Sequence, residues 1–106
     1  MVKTTIKRRP YLEYVNHMLR FFFTTPTSLQ CEGHTKADID NWLAVQKTLA
    51  FSTEITRELI QSLYTSGKTF EETVEEFSVK HNIPKDHVWG IYTAFSFAVA
   101  RERGLV

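Results

Sequence analysis

Apolar residues recur along this chain at the 3.6-residue period of a helix, and five stretches carry that pattern. The first runs from about Pro10 to Phe23. There Leu12, Val15, Leu19 and Phe22 share one face, while Glu13, Asn16, His17 and Arg20 fill the other. Tyr11, Tyr14, Met18 and Phe21 widen the apolar side beyond what one neighbouring helix covers. Pro10 suits a first turn, where its missing N–H has no helical partner. Residues 24–28, with Pro26 among them, end this helix, and an irregular connection leads to Thr35. A second helix is expected to start there, the Thr35 hydroxyl capping the amide of Asp38 and the Asp38 carboxylate complementing the positive helix end. Ile39, Trp42, Leu43, Gln46 and Leu49 are read as its inward face. With Ser52 as the expected N-cap, a third helix turns Ile55, Leu59, Ile60 and Leu63 inward. It ends at Gly67, which is placed for a left-handed C-terminal cap.

The fourth helix opens on a capping box, Thr69-x-x-Glu72, in which two orphan amides are satisfied reciprocally. Phe70, Val74, Phe77 and His81 form its stripe. A fifth helix follows from about Pro84 to Arg103. Val88, Ile91, Tyr92, Phe95, Ala98 and Val99 make a broad apolar face on it, and Trp89, Phe97 and Ala100 extend that face. A polar stripe of Asp86, Gly90, Thr93 and Ser96 is left over. Nothing alternates with a strand's period of two. The pattern therefore predicts an all-α bundle of about five helices, one domain over residues 1–106. Residues 1–8 read as a flexible basic arm and residues 69–104 as a helix-turn-helix-like pair, since so short a turn makes two helices cross steeply.

Charge changes this picture by where it lies. The formal net charge is only +1, but Lys3, Lys7, Arg8, Arg9 and Arg20 face a single acid, Glu13, in the first twenty residues. Glu71, Glu72, Glu75 and Glu76 make the start of the fourth helix acidic. A basic arm can contact phosphate or an acidic partner surface. One cysteine, Cys31, allows no intramolecular disulfide. No apolar run approaches the roughly twenty residues a membrane span needs. The expectation is a cytoplasmic protein that does not engage membranes.

Candidate chemistry is sparse. Cys31-x-x-His34 has half the spacing of a zinc site, but His17, His81 and His87 are scattered with no second paired motif. Glu32 and Gly33, beside Cys31, offer no general base for a thiol nucleophile. The four glutamates stand in or near a helix's first turn, where its dipole stabilises negative charge; that favours a solvated acidic face over a catalytic pair. With no glycine-rich phosphate loop and no Ser–His–Asp ordering, the expectation is a non-enzyme with no metal, cofactor or small-molecule substrate.

From Trp42 to Val106 the chain resembles the promoter-reading domain of bacterial sigma factors. It is more similar still to the small sigma-like regulators carried by phages and mobile elements of Gram-positive bacteria. The likeness is carried by Arg57-Glu58-Leu59-Ile60 followed by Leu63-Tyr64, and by Thr69 at the first cap. Ile83 and Val88 then flank the turn, and Ala98-Val99-Ala100-Arg101-Glu102-Arg103-Gly104-Leu105 closes the chain's last helix. Departures are visible too: His81-Asn82 replaces the family's glycine in the turn, the fourth helix is about a turn longer, and the base-facing positions lack Arg, Asn and Gln. The resemblance implies binding of double-stranded DNA in transcription control. Lys80, Lys85, His87, Thr93, Arg101 and Arg103 would make the contacts, and Lys7, Arg8 and Arg9 would anchor non-specifically. The apolar surplus gives the alternative of a helical adaptor. In that reading Trp89, Tyr92 and Phe97 meet RNA polymerase, another protein or a second copy in a homodimer.

Overall fold

A computed structural model describes residues 10–24 and 35–106. The described residues form five helices and no strand: α1 (Pro10–Thr24), α2 (Lys36–Ala50), α3 (Glu54–Thr65), α4 (Phe70–His81) and α5 (Lys85–Arg103). The predicted all-α bundle is thus the fold of the chain. The arm with Lys7, Arg8 and Arg9, and the Cys31–His34 pair, lie outside the described residues.

Local chemistry explains most helix ends. Thr35 accepts from the Asp38 amide while the Asp38 carboxylate accepts from the Thr35 amide, and Thr69 and Glu72 do the same. Gly67 has φ +79°, the left-handed conformation expected after α3. The start of α3 differs from expectation. Thr53, not Ser52, is the N-cap and accepts from the Thr56 amide. Ser52 instead donates its hydroxyl to the Thr48 carbonyl, which closes α2. Arg57 completes this corner by donating Nη1 to the carbonyls of Leu49 and Ser52 at 3.2 and 2.6 Å, a cation at the negative end of α2.

α5 packs against all four other helices. The core around it gathers Val15, Met18 and Leu19 from α1, Ala44 and Val45 from α2, and Leu59, Ile60 and Leu63 from α3. Val74 and Phe77 come from α4, and Val88, Phe95, Val99 and Ala100 from α5 itself. On α2 the inward arc is rotated from the expected one. Leu43 is 47% exposed and Gln46 lies in solvent, while the small Ala44 and Val45 are buried beside Trp42. The two neighbouring helices approach α2 where its side chains are short, so size was a misleading guide to phase. On α5, Ser96 is fully buried rather than part of a polar stripe, and Ala98 is exposed.

Candidate nucleic-acid interface

Three non-helical residues, Asn82, Ile83 and Pro84, join α4 to α5. Asn82 sits at φ 54°, ψ 48°, a conformation usually taken by glycine; its short amide side chain makes it one of the few other residues that tolerate this region. The Ile83 amide donates to the Ser78 carbonyl at 3.0 Å, and the Ser78 hydroxyl donates back to the Ile83 carbonyl. That reciprocal pair fixes the exit of the chain from α4. Pro84 pre-sets the entry of α5 at φ −57°, and its carbonyl accepts from the Val88 amide at 3.1 Å. Pro84 has no side chain that could cap the first amides of α5. These amides form the positive end of the helix beside Lys85.

α3 packs on both members of the pair, and two polar clusters hold the unit together. At one side the Glu58 carboxylate of α3 takes the Lys80 ammonium at 2.8 Å and His81 Nε2 at 3.1 Å. The hydrogen bond from Lys80, then that from His81, holds the Glu58 carboxyl below its usual 4.5. At the other side Tyr64 donates its hydroxyl to Asn16 Oδ1 at 2.7 Å and lies 3.1 Å from the Tyr92 hydroxyl. Burial, and then the Tyr92 contact, push the Tyr64 phenol far above its ordinary range. Asn16 was expected on a solvent face of α1; it instead ties α1 to α3 through Tyr64, whose hydroxyl also meets Tyr92 of α5.

The outer face of α5 carries Asp86, His87, Gly90, Ala94, Phe97, Ala98 and Arg101, all exposed, with Trp89 and Thr93 half-buried at its margin. Lys85 stands at its entry, exposed, with Nζ 3.7 Å from Glu75. The remaining expected contacts are dispersed. Lys80 is paired to Glu58, Arg103 donates Nε to Asn41 Oδ1 at 2.6 Å, and Arg101 lies 6.0 Å from the Phe97 ring centre. Lys85 and Arg101 are sixteen residues apart on one helix, about 24 Å along its axis. The structure therefore brings Lys80, Lys85 and His87 to one end of the pair and leaves Arg101 and Arg103 at the other.

Of the candidate partner anchors, Phe97 is 42% exposed and its ring edge meets Tyr11 at 6.1 Å. Trp89 is half-buried against Tyr92. Tyr92 serves internal contacts, with Phe70 and the Tyr64 hydroxyl. Sequence reasoning missed Arg57, Tyr64 and Asn16 as organisers. It also missed Phe51 and Val79, whose exposures of 81% and 79% make them the barest large apolar side chains among the described residues.

No family model, curated protein or solved structure matches this chain. Its interface must be argued from its own geometry. Among the described residues no helix is long and apolar enough to cross a membrane, and no three His, Cys, Asp or Glu side chains cluster as metal ligands.

Proposed function

We propose that this protein is a double-stranded-DNA-binding regulator of the helix-turn-helix type, acting in transcription control as sigma-like regulators of phages and mobile elements do. The observation that carries the reading is the three-residue turn locked by Asn82 and the Ser78–Ile83 bonds. It fixes how α5 leaves α4, and the first turns of α5 stay exposed through Lys85, Asp86, His87, Gly90 and Ala94. In a helix-turn-helix the N-terminal part of the second helix enters the major groove while the first crosses the backbone. Lys85 and the positive N-terminal end of α5 then meet phosphate, and Lys80 can exchange Glu58 for it. Lys7, Arg8 and Arg9 add a sequence-independent anchor. That anchor matters, because residues 69–106 hold four Lys and Arg against six Asp and Glu.

Fluorescence anisotropy with a labelled random duplex tests this. Saturable binding is expected at low salt, weakening about tenfold or more between roughly 50 and 200 mM salt. Lys85→Glu and Arg8→Glu should each weaken it. No binding at low salt would overturn the reading.

The acidic balance of the pair and the exposed Phe97 support a second reading, a non-enzymatic adaptor whose outer α5 face meets another protein, RNA polymerase included, or a second copy. Sedimentation at several concentrations separates the two. Self-association lost in Phe97→Ser would favour the homodimer, whereas a concentration-independent monomer that retains salt-sensitive DNA binding leaves the regulator.

A further inference from the structure

Resting on the DNA-binding reading above, we infer that the exposed face of α5 selects thymine-containing sites by methyl contact, not purines by paired hydrogen bonds. Asp86, Gly90 and Ala94 follow one another at i, i+4 and i+8 and so share one line along the exposed face, with His87 and Thr93 on either side. None of the five carries the two-pronged amide or guanidinium that reads adenine or guanine edges. What they offer the groove is the Ala94 methyl, the Thr93 methyl, at Asp86 a carboxylate that only accepts, and at His87 a single-point imidazole contact and no paired one. The thymine 5-methyl is the apolar mark on a major-groove edge, and the cytosine amino group is a donor suited to a carboxylate.

Gly90 sharpens this. A β-carbon placed there meets no atom within 4 Å, and the residue lies in the middle of a helix. The chain's own packing therefore does not call for a glycine at a position where glycine weakens a helix. On the reading face its missing side chain lets the helix lie about a methyl group deeper in the groove, bringing the neighbouring Ala94 and Thr93 methyls to the base edges.

The test uses the full chain and a duplex selected from a randomised pool. The selected duplex is compared with the same sequence carrying deoxyuridine for thymine, which removes the 5-methyl and keeps every hydrogen-bonding group. The uracil duplex should bind about fourfold more weakly for each methyl contacted. Thr93→Ser, which loses a methyl but keeps the hydroxyl, should narrow that ratio, and Thr93→Val should restore it. Gly90→Ala should weaken binding to the selected duplex at least tenfold and shrink the thymine-to-uracil ratio. Equal binding of thymine and uracil duplexes, or a selection that yields no preferred sequence, would overturn the inference while leaving DNA binding intact. Failure to bind any duplex at low salt would overturn both, and the random-duplex titration tells these cases apart.

Discussion

The two faces of α5 make opposite use of one helix. Its inner face buries Val88, Phe95, Ser96, Val99 and Ala100 against four neighbours. Its outer face sets Asp86, Gly90, Ala94, Phe97 and Arg101 in solvent, and none of these supports the fold in the way Phe95 does. A helix with core on one side needs no strong amphipathic contrast if its other side is made of small or mixed residues. That is why α5 looks apolar almost all round in sequence while being half exposed. The inner face stabilises the bundle; on the proposed reading the outer face is the one that meets DNA.

Truncation on the inner face should show the larger effect. Phe95 is 3% exposed, so Phe95→Ala is expected to cost about 3–5 kcal/mol in urea unfolding, whereas Ala94→Ser next to it should stay within about 0.5 kcal/mol. Comparable losses at the two positions would mean that α5 is buried on both sides, as it would be inside an oligomer.

At the turn, Asn82 separates a strained backbone from a lost contact. Asn82→Ala places a β-carbon with no compensating amide at φ 54° and should cost about 1–2 kcal/mol; Asn82→Gly should cost nothing or stabilise. If both variants lose stability equally, the side chain rather than the backbone conformation is what matters there.

These positions show how far the sequence was legible. Helix ends written in short-range chemistry were readable, as with Thr35 and Asp38, Thr69 and Glu72, and Gly67, because the cap and its partner lie within three or four residues. Ser52 and Thr53 could not be told apart that way. Each hydroxyl can bond backwards or forwards, and only the corner made by Arg57 decides between them. The phase of α2 failed for a longer-range reason: which arc of a helix is buried depends on what packs there, and Ala44 and Val45 admit close neighbours where Leu43 does not. Contacts such as Tyr64 to Asn16, 48 residues apart, leave no local trace. For the candidate interface, the turn and the first residues of α5 were legible, but the inward swing of Arg103 to Asn41 and the burial of Ser96 were not.

Ser96 and Gly90 should shift stability by less, and in the unusual direction. The Ser96 hydroxyl is fully buried and has no hydrogen-bond partner. Ser96→Ala removes an unsatisfied group and improves helix propensity, so it should raise stability by on the order of 1 kcal/mol. Gly90→Ala, with open space around its new methyl, should stabilise by about 1 kcal/mol as well. The two differ in function. Ser96→Ala should leave duplex binding unchanged, whereas Gly90→Ala should fold better and bind worse. A Gly90→Ala protein that binds normally would assign the glycine no role on the outer face.

The smallest effect concerns the clamp at the back of the pair. Glu58 keeps 36% of its side chain in solvent, so its bonds to Lys80 and His81 are screened and each contributes modestly. Because its folded-state pKa lies below the usual 4.5, Glu58 binds its proton more readily in the unfolded chain. Its contribution is therefore fully present above that unfolded value and disappears as pH falls through the lower, folded one. Unfolding midpoints at pH 7, 5 and 3 should show Glu58→Gln less stable than the native chain at the two higher values, the gap closing toward pH 3. Parallel curves would mean that the clamp stabilises nothing. DNA binding adds a second reading of the same variant. With its ion pair to Glu58 lost, Lys80 becomes available to phosphate, so Glu58→Gln should tighten random-duplex binding at low salt even as it loosens the fold. Loss of stability with unchanged DNA affinity would place Lys80 outside the nucleic-acid interface and leave Lys85 as the cation at the turn.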